Sequence, residues 1–215
     1  MLEPPLLFDL DGTLVDSLPD IAASVNHVRA ANGLPRLDDG AVASMVGDGL
    51  NVLLRRALPG LGAEACADAA ALYHDHHLEQ CTRLVRPFPG VSSCLARWHA
   101  DGTAMAVVTN KPLEFAGRIL DALALRRYLS VVVAGDSTPT KKPHPGPCLH
   151  ALDQLGARDA SKRRGTMIGD SVQDLRAGKA AGLRTLAVLF GYRDEATLRA
   201  EGADAYWTSF GVFAA

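Results

Sequence analysis

Asp9 and Asp11 stand one residue apart in "LLFDLDGTLVDS", directly after a short apolar run and before Gly12 and Thr13. On an extended strand alternate residues share a face, so both carboxylates begin on the same side. Like charges that close raise each other's pKa unless a cation sits between them. The pair suits nucleophilic or acid/base chemistry, and it also reads as an Asp-Gly turn, a common way to end a strand. A calcium-binding EF-hand loop does not fit: the sixth loop position counted from Asp9 is Leu14 rather than glycine.

Three further polar groups follow apolar runs. In "VVTNKP", Thr109 places a hydroxyl at a strand end, and the Asn110 region offers backbone N–H groups near a helix start. That arrangement suits a phosphate oxygen, or it simply caps the next helix. In "TKKPHPGP", Lys141 or Lys142 in a proline-stiffened loop either neutralises a phosphoryl group or stands in solvent. In "MIGDSVQD", Asp170 ends a strand and Asp174 lies four residues on, on the same side if a helix begins there. Otherwise Asp170 or Ser171 caps that helix and Asp174 complements its dipole.

These groups need a scaffold. "PLLF" before Asp9, "AMAVVTN" at 104–110 and "GTMIGDS" at 165–171 read as buried strands, with weaker runs in "LSVVVAGDS" at 129–137 and "RTLAVLFGY" at 184–192. Helical patterns lie between them. "PLEFAGRILDALAL" gathers Phe115, Ile119, Leu120 and Leu123 on one face behind Pro112, while "VQDLRAGKAAG" and "HPGPCLHALDQLG" end in glycines suited to a C-cap. Alternating strands and helices predict an α/β fold with a doubly wound (Rossmann-like) parallel sheet. Ligands sit at the carboxyl ends of such strands, and that is where each polar group falls.

Residues 16–85 differ: they are Ala- and Leu-rich, helical in pattern and without a clear strand. The expected organisation is a core of residues 1–15 and 86–215 with a small inserted helical cap at 16–85, "RPFPGV" at 86–91 being the return linker. Within the cap, "VGDGL" is expected to be a mobile loop near the core, its glycines Gly47 and Gly49 permitting close approach to a ligand. "HDHH" at 74–77 places His74 and His77 at helical spacing, and a solvated helix face is preferred there over a transition-metal site. Tyr206 and Trp207 read as edge packing, and His144 as a residue that shapes its loop.

A net charge of −2 argues against bulk attraction to nucleic acid or to an anionic membrane. Cys66, Cys81, Cys94 and Cys148 are scattered without a CxxC pair, which fits a reduced protein better than a disulfide framework or a structural zinc site. "MLEPPLLFDLDG" does not read as a signal peptide, and no apolar run approaches the roughly 20 residues that span a bilayer. The expectation is a soluble cytoplasmic protein, with no feature that sets an oligomeric state.

Taken together, "DLDGT", "VTN", "KKP" and "GDSVQD" resemble, in this order, the motifs of the haloacid dehalogenase-like hydrolase superfamily. Within it, "VGDGLNVLLRRAL", "FPGV", "VVTNKP" and "KKPHPGP" resemble the family of bacterial phosphoglycolate phosphatases. The resemblance implies a Mg²⁺-dependent phosphatase acting on a small phosphorylated metabolite. Asp9 would attack phosphorus and form an aspartyl-phosphate, and Asp11 would act as acid and then base. Mg²⁺ would lie among Asp9, the Leu10 carbonyl and Asp170, within the acidic set Asp9, Asp11, Asp170 and Asp174. Asp174 would hold a metal-bound water or orient Lys142. Thr109 and Asn110 would bond the phosphoryl group. Lys142 rather than Lys141 matches the family, being directly before proline. Arg56 matches an arginine of the subfamily and would pair with a substrate carboxylate, alongside Gly47. The second aspartate, Asp11, favours phosphoryl transfer over dehalogenation. The substrate reading is 2-phosphoglycolate. A sugar phosphate, N-acetylmuramic acid 6-phosphate, a nucleotide, pyrophosphate, a phosphomutase or a non-catalytic phosphate binder are the rivals.

Overall fold

In the computed structural model, which describes the backbone of residues 2–60, 62–157 and 165–213, every one of the five apolar runs contains a strand. The chain begins with β1 (Leu6–Phe8) and β2 (Val15–Asp16), then four helices, α1 (Leu18–Ala31), α2 (Asp39–Met45), α3 (Leu50–Ala57) and α4 (Ala63–Gln80). It continues through β3 (Arg86–Pro87), α5 (Val91–Ala100), β4 (Met105–Val108), α6 (Leu113–Ala122), β5 (Val131–Val133) and α7 (Gly146–Gln154). β6 (Thr166–Gly169), α8 (Val172–Ala180), β7 (Arg184–Val188), α9 (Glu195–Ala200) and β8 (Ala205–Trp207) complete it, before a final 3-10 turn (Phe210–Phe213).

Six strands pair in the order β5-β4-β1-β6-β7-β8, all parallel. Successive strand residues serve opposite faces. Leu6 and Phe8 join the cluster that holds Leu95 and Phe210, with Phe8 stacked on Trp98 at 5.9 Å between ring centres. Leu7 joins Ala151, Leu152 and Ala177 on the other side. Helices cover both faces, which is why the strands read as unbroken apolar runs rather than alternating ones. Truncating any of these buried leucines to alanine costs about 2–5 kcal/mol.

The helical segment α1–α4 leaves and re-enters through an antiparallel ribbon of β2 on β3. Ile21, Val25 and Val28 of α1 cluster with Leu54, Ala57 and Tyr73. Asp20, in the first turn of α1, is fully buried and accepts hydrogen bonds from the Gln80 side chain and the Leu84 and Val85 N–H groups. It thereby ties the start of the segment to its end. Tyr206 and Trp207 lie on β8, the edge strand beside β7. Among the described residues no helix is long and apolar enough to cross a membrane.

Candidate active site

β1, β4 and β6 are neighbours in the middle of the sheet; from β1 the chain order runs outward to β5 on one side and to β8 on the other. Such a reversal opens a crevice at the carboxyl ends of the strands. Asp9, Thr109 and Asp170 are the first residues past those three strands. The turn after β1 leaves no room for a side chain: Gly12 has φ +80°, and a Cβ there would sit 2.2 Å from Asp170 Oδ2. Gly135 is constrained differently, by close approach, since its Cβ would meet the Asn110 carbonyl at 2.2 Å.

Asp9, Asp170 and Asp174 are buried, and each offers a carboxylate oxygen within 4.8 Å of the others. Asp170 accepts from the Thr13 hydroxyl at 3.2 Å and from the Tyr192 N–H at 2.8 Å. Asp174 has donors on both oxygens: Lys142 Nζ at 2.6 Å on one, and the Ser171 N–H (3.0 Å) and hydroxyl (2.6 Å) on the other, closing a capping box at the start of α8. Lys142 Nζ also donates to the Val108 carbonyl at 2.5 Å. It lies 2.8 Å from Asp9 Oδ1 and forms an ion pair with it. Asp9 Oδ1 is buried, and that ammonium, shared with Asp174, is its close partner.

Burial pushes the Asp9 carboxyl up to about 7, helped by the Asp174 charge and opposed by Lys142. Burial, then Asp174 and Asp9, also holds Asp170 well above the usual carboxylate range. Burial would pull Lys142 down, but the charges of Asp174 and Asp9 keep it above an ordinary lysine. Three buried carboxylates clustered around a single ammonium fit a hard divalent cation, which prefers oxygen ligands and relieves their repulsion.

Asp11 stands outside this trio. It accepts from the Ser17 hydroxyl at 2.5 Å and from Lys111 Nζ at 3.0 and 3.1 Å on its two oxygens. Of the four acids expected around a metal, Asp9, Asp170 and Asp174 lie together while Asp11 is held apart on Lys111. Asn110 is also placed differently from expectation. Its side chain clamps both the Lys142 N–H (3.0 Å) and carbonyl (2.9 Å), and donates to the Gly47 carbonyl at 2.8 Å. The amide is spent bracing loops, so only its backbone is left for a phosphoryl oxygen. Thr109 is buried and its hydroxyl accepts from the Lys111 N–H at 3.2 Å. Lys142, not the exposed Lys141, reaches the acids.

A cavity above the strand ends is lined by Asp9, Asp11, Gly47, Thr109, Asn110 and Asp170 from the expected set. Arg56 is not part of its lining. It pairs with Asp48 at 2.6 Å and donates to the Met45 carbonyl, while Gln173 of α8 holds the other Asp48 oxygen at 2.6 Å. Arg56 thus orders the glycine loop. His77 corrects the solvated-helix expectation for its helix: it is 1% exposed and lines the cavity, whereas His74 sits outside on Glu114.

Lys111, Tyr192 and Arg193 also line the cavity, and the sequence motifs assigned them nothing. The Tyr192 hydroxyl accepts from the Ser17 and Leu18 N–H groups at 2.8 and 3.0 Å, capping α1 from across the chain. Arg193 donates to the Ser44 and Val46 carbonyls. The usable signal was position: Lys111 directly follows Thr109-Asn110, and Tyr192-Arg193 follow the end of β7.

A parallel sheet with buried acids and a lysine at its central strand ends defines a hydrolase-type α/β site. The chain belongs to the haloacid dehalogenase-like hydrolase family, whose profile matches residues 6–188. It is 41% identical over 206 residues to the plasmid phosphoglycolate phosphatase of Cupriavidus necator, covering 93% of this chain and 87% of that one. It is 36% identical over 202 residues to the phosphoglycolate phosphatase of Pseudomonas putida, covering 91% and 73%. Among solved structures it is similar to a predicted phosphoglycolate phosphatase from Haemophilus somnus, with a TM-score of 0.89, 29% identity and coverage of 97% and 95%. CbbY from Rhodobacter sphaeroides, crystallised with phosphate, aligns with a TM-score of 0.79 and 26% identity over 95% and 93%.

Proposed function

We propose that this protein, a phosphoric monoester hydrolase, converts 2-phosphoglycolate to glycolate and phosphate in a Mg²⁺-dependent reaction through an aspartyl-phosphate. One observation carries the chemistry: the buried Asp9 carboxylate is grouped with Asp170 and Asp174, shares the single ammonium of Lys142 with Asp174, and stands one residue from Asp11. The names of the relatives above support the substrate.

Asp9 attacks phosphorus. A bond forms from its oxygen to phosphorus as the bond to the glycolate oxygen breaks, and Asp11 gives that oxygen a proton. Asp11 then takes a proton from water, which attacks the aspartyl-phosphate and releases phosphate, restoring both acids. Lys142 holds Asp9 and Asp174 in place, and the Thr109 hydroxyl and Asn110 backbone meet the phosphoryl oxygens. Mg²⁺, held by Asp9 and Asp170, would offset the negative charge shared by nucleophile and substrate; the Leu10 carbonyl, expected among the ligands, instead accepts from the Leu14 and Val15 N–H groups at 3.0 Å. Residues 16–85 act as a cap that closes over this site and excludes water. Cys81, Cys94 and Cys148 are buried and free, in keeping with a reduced, cytoplasmic setting.

The test is a panel of esters assayed on purified protein with Mg²⁺ and with excess EDTA. 2-Phosphoglycolate should show the highest kcat/KM, above sugar phosphates, N-acetylmuramic acid 6-phosphate, nucleotides and pyrophosphate. Chelation should abolish turnover and added Mg²⁺ restore it. Full turnover in EDTA sinks the metal role; a better rival ester sinks the substrate.

A further inference from the structure

A substrate that carries a carboxylate needs a cation beside its leaving oxygen. Arg56 is committed to Asp48 and stands off the cavity. Arg193 lines the cavity, but both of its terminal nitrogens are tied to cap-loop carbonyls, those of Ser44 and Val46, which fixes it away from Asp11. Lys142 is spent on Val108, Asp174 and Asp9.

Lys111 is different. It is 8% exposed and lines the cavity. Its ammonium meets both oxygens of Asp11, and among the described residues it has no other acceptor within hydrogen-bond distance. An ammonium has three N–H donors, so one is left over, beside the residue proposed to protonate the leaving oxygen. In 2-phosphoglycolate only one methylene separates that oxygen from the carboxylate. The group that serves the oxygen and the group that reads the carboxylate must therefore be neighbours, as Asp11 and Lys111 are. The cavity wall also carries Tyr73, His77 and Phe115, with ring centres 4.9 Å apart for Tyr73–His77 and 4.8 Å for His77–Phe115. Burial, with help from the Lys111 charge, pushes His77 down to about 2, so this wall is neutral. A neutral aromatic wall lowers the local dielectric and strengthens an ion pair beside it.

We propose that Lys111 is the specificity-determining residue, taking the leaving group's carboxylate on the N–H that Asp11 leaves unused. The inference rests on the carboxylated substrate proposed above.

The test compares wild type, Lys111→Met and Lys111→Arg on 2-phosphoglycolate and on its amide, 2-phosphoglycolamide, which keeps the shape without the charge. Mg²⁺ is present, and thermal unfolding of each variant is recorded. Wild type should prefer the carboxylate by about 10- to 100-fold in kcat/KM, the size of one charge-assisted hydrogen bond. Lys111→Met should lose activity on both esters, because Asp11 loses its brace, and should also erase the preference. Lys111→Arg should retain most of it. If the Met variant melts below assay temperature, Lys111→Gln, whose amide can still donate to Asp11, carries the same comparison. Equal losses that leave the preference intact overturn the inference while the substrate reading stands, since Lys111 then only braces Asp11. A wild type without any preference for the carboxylate overturns both.

Discussion

Asp9 and Asp20 are both withdrawn from water, 8% and 0% exposed, yet their surroundings differ in kind. Asp20 is matched by side-chain and backbone donors, with bonds of 2.7 Å from Gln80, 3.1 Å from Leu84 and 2.8 Å from Val85. Asp9 has one ammonium at ion-pair distance, which it shares with Asp174, and it faces two like-charged neighbours, Asp170 and Asp174. Buried polar groups are ordinarily satisfied, and the exceptions call for an explanation. Asp20 holds structure. Asp9 is held by structure, at a cost that the surrounding fold covers, and that is the mark of a group kept ready for a ligand.

The largest effect should come from breaking the Asp9 side. Asp9→Asn removes the nucleophile, so turnover with Mg²⁺ should fall by at least about 10⁴-fold, the scale seen when a nucleophile is deleted. It also removes a charge that burial penalises, so the thermal midpoint without metal should stay level or rise, by the equivalent of about 1 kcal/mol. Turnover near wild type would remove Asp9 as the nucleophile. A large loss of stability would make it a structural residue like Asp20.

Asp20→Asn should do the reverse. The new NH₂ faces donors where a carboxylate accepted, which costs about 2–3 kcal/mol. Melting should drop by roughly 5–10 °C for a chain of this size. Turnover of the folded fraction should be unchanged. A variant that melts normally but is inactive would erase the contrast.

How far these roles could be read from sequence depends on how local their causes are. The five strands were legible because each is a short apolar run closed by a polar residue. Asp9, Thr109 and Asp170 were legible because the parallel sheet puts every strand's carboxyl end on one side, whereas Lys142 was separated from Lys141 only by the family resemblance. β2 and β3 were not: each is two residues long, one contains Pro87, and neither shows alternation. β8 is three half-buried residues at the edge, short of any periodic signal. Asp20 drew no reading from the sequence, since its partners Gln80, Leu84 and Val85 lie some 60 positions away. The positions of Arg56 and His77 depend on how the helical segment packs against itself and the core, and helical spacing alone gave no hint that one faces Asp48 and the other the cavity.

His77 gives the smallest effect and sharpens the comparison, because it shares a trait with each aspartate. Like Asp20 it is part of a satisfied network. Its Nδ1 lies 2.8 Å from the Ser24 oxygen, which also meets His76 Nδ1 at 3.1 Å and the Asp20 carbonyl at 3.1 Å. A carbonyl can only accept, so the single hydroxyl hydrogen goes there and both imidazoles donate to Ser24. Like Asp9 it lines the cavity, and its buried Nε2 has no partner among the described residues. Burial pushes this imidazole down to about 2, whereas an unfolded histidine titrates near 6.5. Below about pH 6.5 the unfolded chain binds a proton that the fold refuses, so stability is full above that pH and drains away as pH falls toward 2. By pH 5 the loss is about 2 kcal/mol. Denaturant unfolding of wild type and His77→Gln at pH 7.5 and pH 5 isolates it, since other titrating groups are common to both. The stability difference between the two proteins should shift by about 2 kcal/mol in the variant's favour on acidification. A difference that does not move with pH would mean that His77 takes up its proton in the folded state, and that its bare nitrogen is open to water rather than sealed.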